Sequence, residues 1–176
     1  MDGKGYGSDF ADDYLAVGDF NIFSVDWGDL ESWANYPHAA AITKPVGEHA
    51  AKLGKERGKL VFKEIKATTF VSVELLVSNH DVLDNIHLVG HSLGAHVVGF
   101  IAKTVQSMGL GKIKQMTGLD PAYPFFELQG PEGRIDKSDA EFVQIIHTNS
   151  GFLWNGCLSF EVRNSKEKVK PFLTCT

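Results

Sequence analysis

The chain has 176 residues, 43% hydrophobic and 22% charged, which suits a soluble globular protein with one core and excludes collagen-like, low-complexity and wholly disordered readings. Seventeen Lys and Arg stand against 22 Asp and Glu for a formal net charge of -5, which gives no electrostatic footprint for nucleic acid. No apolar run reaches the ~20 residues of a membrane-spanning helix, and the polar, Gly-rich start from Met1 to Ser8 has neither the charged opening nor the apolar stretch of a secretory signal.

Strand-like and helix-like segments alternate along the chain. The run Asn21 to Trp27, apolar and β-branched, predicts a buried strand ending at an acidic residue and Gly28. Pro37 through Leu53 is Ala-rich with apolar residues at helical spacing, and Pro45 and Gly47 predict interruptions. Thr69 to Val77 fits a strand or a buried helix equally, since a short apolar run has no diagnostic period. Ile86 to Val89 is a strand that runs into Gly90-His91-Ser92-Leu93-Gly94, and Ala95 to Val105 follows as a helix with one small-residue face. Lys112 to Leu119 and Glu141 to His147 predict two further strands, the first ending at Asp120-Pro121. Strand, helix, strand, helix, strand is the pattern of an α/β fold, a mostly parallel sheet with helices on both faces.

Charge is uneven. Residues 52–66 hold six basic and two acidic residues and 161–170 hold four and two, so two basic islands sit in an otherwise acidic chain. Solvated helix faces or a tail account for such patterning. Cys157 and Cys175 both lie near the C-terminal end, where a bond between them would close only a short loop; a free-thiol pair and a disulfide both stay open. Neither cysteine has His or Cys neighbours at zinc-ligand spacing, and no motif requires a metal or an organic cofactor.

The strongest chemical signal is Gly90-His91-Ser92-Leu93-Gly94. A Gly-x-Ser-x-Gly run between a buried strand and a small-residue helix predicts a nucleophile elbow, in which a strained turn lifts the serine hydroxyl above the C-terminal edge of the sheet. Glycines are needed because a side chain there would crowd the neighbouring strand and helix. The backbone N–H of Leu93 then points to where a tetrahedral oxyanion forms, helped by the positive helix N-terminus. Asp120, in Gly118-Leu119-Asp120-Pro121-Ala122 at the end of a later strand, is the candidate triad acid, holding the base's tautomer and stabilising its imidazolium. An Asp-Pro turn initiator is the plain alternative. Asp136 and Asp139 compete with it, but nearby Arg134 and Lys137 suggest surface ion pairing for them. His91 flanks the serine with its ring directed elsewhere, and His96 reads as a packed helix residue.

These motifs, together with Gly18 to Gly28 and the stretches Tyr14 to Leu53, Thr69 to Phe100, Thr117 to Phe125 and Arg134 to Phe160 (with Asp139-Ala140 and Ile146-His147-Thr148), resemble the animal pancreatic-lipase-like family, most closely its insect lipases and phospholipases A1. The resemblance implies a partial α/β-hydrolase domain over 1–176, with residues 54–68 an insertion and 161–176 a divergent tail. It implies Ser92 as nucleophile, Asp120 as acid and the Leu93 amide as one oxyanion donor. Lipid esters at a lipid–water interface are the implied substrates, with no nucleic-acid partner, and the implied setting is extracellular. In that family the triad histidine lies well beyond the position of Phe160, whereas this chain has no histidine after His147. The family's segment around His147 ends a strand and does not supply the base, so the third triad member is unassigned and His147 is the surrogate candidate. The family's other oxyanion donor belongs to a His-Gly loop upstream of the matching stretches. Ester hydrolysis and a catalytically silent, lipid- or protein-binding homologue therefore both stand as readings.

Overall fold

The computed structural model describes residues 6–18, 21–25, 27, 35–53, 55–56, 59–60, 71–75 and 82–147. In chain order the elements are α1 (Tyr6–Val17), β1 (Asn21–Ser24), α2 (Tyr36–Leu53), β2 (Lys55–Glu56), β3 (Lys59–Leu60), β4 (Val71–Leu75), β5 (Ile86–His91), α3 (Leu93–Ser107), β6 (Ile113–Leu119) and β7 (Ala140–Ile146). One 3-10 turn at Val82–Asn85 leads into β5 and another at Pro131–Gly133 lies between β6 and β7.

Five strands form one sheet in the order β1-β4-β5-β6-β7, and β2 and β3 form a separate small hairpin inside the 54–68 stretch. Strands β5, β6 and β7 pair in parallel, while β4 runs antiparallel to both β1 and β5. Four of the five strands thus point the same way, and the fold is a partial α/β-hydrolase architecture.

Register explains which face is covered. Leu88 pairs with Met116 and Met116 with Val143, and because side chains alternate across a strand, these three share one face with Ile86 and Ile145. All five are buried, and α3 lies over them through Val97, Val98, Ile101 and Val105. The opposite row holds His87, Gln115 and Thr117, with His87 Nε2 2.8 Å from Thr117 Oγ1. Burial pushes the His87 imidazole down to about 4.

Helix α2 packs chiefly across α3. Its buried positions Ala39, Ala40, Thr43, Gly47, Ala50 and Ala51 recur at helical spacing and make one small-residue face. A Cβ on Gly47 would lie 2.6 Å from Phe100 Cβ and 2.8 Å from the Val97 carbonyl oxygen, so this glycine permits the close crossing and is no interruption. Pro45 stands on the exposed side of the same continuous helix, where the lost N–H is tolerated because packing of the buried face holds the turn.

Other expectations are refined too. The ladder of β1 ends at Ser24, although Val25 and Trp27 continue buried beyond it. The ambiguous 69–77 run contains strand β4. Helix α1 has no counterpart in the sequence reading, because the Gly-rich opening masks a helix that starts only at Tyr6. Cys157, Cys175 and the 161–176 stretch lie outside the described residues, and no described helix is long and apolar enough to cross a membrane.

Candidate active site

Ser92 stands between β5 and α3 with φ 56° and ψ −121°, a conformation that a non-glycine residue holds only when its surroundings force it. Gly90 supplies part of that force: a Cβ there would lie 2.2 Å from the Gly94 carbonyl oxygen. A serine at a helix N-cap ordinarily turns its hydroxyl back onto the helix amides. Ser92 makes no such side-chain bond, which leaves its Oγ uncommitted among the described residues at the start of α3. Leu93 is the first residue of α3, and its amide has no intrahelical acceptor by position.

Asp120 follows β6 directly, as Ser92 follows β5. It also holds a positive φ, 40°. Backbone bonds knit the two turns together: the Ser92 N–H donates to the Leu119 carbonyl at 2.9 Å, and the Ala122 N–H donates to the Ser92 carbonyl at 3.2 Å. The Asp120 N–H donates to the Ile146 carbonyl at 2.7 Å, which ties the same turn to the end of β7.

The next residue, His147, has its Nδ1 4.0 Å from Asp120 Oδ1, with both side chains largely buried. A triad base stands between nucleophile and acid. Here the strand order is β5-β6-β7, so Asp120 at the end of β6 stands between Ser92 and His147, on strands spaced about 4.8 Å apart. The surrogate candidate is thus brought beside the acid, from the strand next to the acid's own and one strand removed from the serine's.

The other two histidines near the elbow separate clearly. His91 is exposed at the end of β5. His96, one turn past Ser92, is fully buried: its Nε2 lies 2.8 Å from the Ala122 carbonyl oxygen, its Nδ1 accepts the Ile135 N–H at 3.2 Å, and its ring stacks on Phe126 at 3.6 Å and 7°. Burial holds this imidazole at about 4, opposed by the bond to Ala122 and assisted by the charges of Arg134 and Lys103.

Of the competing acids, Asp136 feels the expected Arg134 charge, together with that of Lys103, while Asp139 is paired with Lys103. Asp139 is buried and ion-paired with Lys103 of α3, whose Nζ lies 2.5 and 2.6 Å from its two oxygens and donates to the Arg134 carbonyl at 2.7 Å. Burial pushes the Asp139 carboxyl up to about 6, against the pull of the Lys103 ammonium. Asp136 accepts from the Ser138 hydroxyl and N–H, a local turn. Neither uses Lys137. The signal for Lys103 was its position seven residues past His96, on the same face of α3.

The chain that follows Asp120 exposes an aromatic and an apolar side chain. Phe125, at φ 70° and 54% exposed, lies 6.0 Å from the Tyr36 ring, and Leu128 is almost fully exposed. Burial, with Glu127 adding to it, pushes the Tyr36 hydroxyl up to about 12. Among the described residues no three His, Cys, Asp or Glu side chains form a group that could hold a metal ion.

The profile of the lipase family matches residues 5–163. Lipase member H of Rattus norvegicus is 35% identical over 139 residues, 79% of this chain and 26% of its own. Phospholipase A1 of Vespula maculifrons is 37% identical over 159 residues, 84% of this chain and 47% of its own. Phospholipase A1 of Vespa crabro is 42% identical over 118 residues, 66% of this chain and 33% of its own. The chain therefore spans between about a quarter and a half of the length of these relatives.

Proposed function

The chain belongs to the lipase family, and from that premise we propose that it carries the nucleophile and acid of a serine carboxylic ester hydrolase acting on lipids, of triacylglycerol-lipase or phospholipase A1 type. The observation that carries the reading is the geometry at Ser92, a strained serine with an uncommitted Oγ, cross-tied to the turn that bears Asp120. In this reading Ser92 Oγ attacks the ester carbonyl while a base removes its proton, and the Leu93 amide donates to the developing oxyanion. The alcohol leaves with that proton, and water then releases the fatty acid from the acyl-enzyme. Asp120 orients the base and stabilises it when charged. The exposed Phe125 and Leu128 suit a lipid–water interface, and the family resemblance implies an extracellular setting.

A second reading, a silent homologue that binds lipid or a protein partner, is favoured by His147 following β7, one strand removed from the serine's strand, and by His96 having both nitrogens engaged. One experiment separates the two: the purified chain and its Ser92→Ala variant are treated with a fluorophosphonate probe and with a short-chain p-nitrophenyl ester. Serine hydrolysis predicts labelling and turnover that fall by about 10³-fold or more in the variant. Equal behaviour of both proteins overturns the enzymatic reading.

A further inference from the structure

We infer that His96 is a positioning residue that fastens the Asp120-bearing turn to the helix beginning at Ser92; its bearing on catalysis rests on the assignment of those two residues proposed above. Ser92 and Asp120 both hold positive φ, strained conformations that persist only where neighbours over-determine them. Three backbone bonds provide part of the restraint. The Ala122 carbonyl, two residues past Asp120 in a buried position, is covered by the His96 ring from one turn past Ser92. The other ring nitrogen takes the Ile135 N–H, so a single side chain grips residues 122 and 135 of the excursion that joins β6 to β7. Phe126 stacks on the ring and fixes its plane.

The grip has a defined protonation state. Nε2 faces a carbonyl and carries the proton; Nδ1 faces an N–H and presents its lone pair. A second proton would set a donor on Nδ1 against the Ile135 donor. Burial, Lys103 on α3 and Arg134 on the excursion all oppose that proton. The ring is consequently neutral and gripping across the neutral pH range, and releases near pH 4.

Two measurements on the full chain test this. In an NMR titration of isotope-labelled protein, the His96 ring is expected to report the Nε2–H tautomer and to protonate near pH 4, with the amides of Ser92, Asp120, Ala122 and Ile135 shifting in step. A ring that titrates near 6.5, or one whose protonation leaves those amides unmoved, overturns the inference. This reading needs no activity, so it decides the grip whether or not Ser92 reacts with any probe. Where the wild type is labelled by fluorophosphonate, His96→Phe, which keeps the stack and removes both bonds, is expected to slow labelling at least about tenfold at a temperature where a cooperative melt shows both proteins folded. His96→Gln, which can still donate to Ala122, is expected to recover part of the rate. An unchanged rate in folded His96→Phe overturns the positioning role.

Discussion

One face of α3 holds the β6–β7 excursion at two places, and the two are built differently. Near the elbow, His96 makes two neutral hydrogen bonds to backbone groups; seven residues on, Lys103 makes an ion pair with buried Asp139 and caps the Arg134 carbonyl. A neutral fastening next to Ser92 fixes geometry without adding a formal charge where the proposed reaction would develop an oxyanion and an imidazolium. At the far end no reacting group is close, and an ion pair can specify where the loop docks, even though such pairs contribute little net stability over apolar packing.

The largest effect expected from this contrast is at the charged end. Lys103→Met leaves the Asp139 carboxyl buried without its cation, and urea unfolding at pH 8 is expected to show a loss of about 3–5 kcal/mol. The loss shrinks at pH 5, where the raised carboxyl carries its proton. The sign in the wild type follows from the same fact: the folded value of about 6 exceeds the ordinary 3.8, so the folded state binds more protons, and this group's contribution falls as pH rises from about 4 through 6.

The neutral end has the opposite slope. The folded His96 value of about 4 lies below 6.5, so the unfolded state binds more protons; stability present above about 6.5 is lost as pH falls toward 4, on the order of 3 kcal/mol. His87, lowered by burial, acts in the same direction. Urea melts at pH 7, 5.5 and 4.5 read the slope, and His96→Phe should flatten it while sparing the Asp139 contribution; equal slopes in both proteins would erase the distinction between the two ends.

Gly99 sits between the two fastenings. A Cβ there would lie 2.9 Å from Ile135 Cα and 3.1 Å from Asp139 Oδ2, so Gly99→Ala is expected to cost about 1–3 kcal/mol by pushing the excursion away from α3. A double-mutant cycle with Lys103→Met should show non-additivity, because both changes act on Asp139. The smallest effect is at the surface, where Leu128, 94% exposed, can become Ser with a thermal-melt change within about 0.5 kcal/mol.

Much of this was legible in the sequence for local reasons. Gly90 to Gly94 is a contiguous motif whose glycines answer to a steric demand, and its strand and helix carry their own periodicity. Asp120 stands out as a candidate because it follows an apolar strand, and the structure places it directly after β6. What escaped depends on contacts between distant residues. The ion pair of Asp139 joins positions 36 residues apart, so Arg134 and Lys137, nearer in sequence, drew attention instead. His96 reads as packed from its helical position; only the fold brings Ala122 and Ile135 to its two nitrogens. Thr69 to Val77 could not be resolved from its pattern, because pairing with β1 and β5 is what makes its centre a strand. Gly47 was misread for a related reason: its value is the close approach of another helix.

The Lys103 ammonium also differs from its neighbours in chemical reactivity. An amine must lose a proton and meet its reagent before it can be acylated, and Nζ of Lys103 is enclosed by two carboxylate oxygens and a carbonyl, with its side chain 22% exposed. Lys114, whose side chain is 58% exposed, has only a 3.5 Å approach to Asp84. Amine-directed labelling of the folded chain should therefore modify Lys114 readily and Lys103 late, and the appearance of adducts at Lys103 would time the release of the β6–β7 excursion from α3.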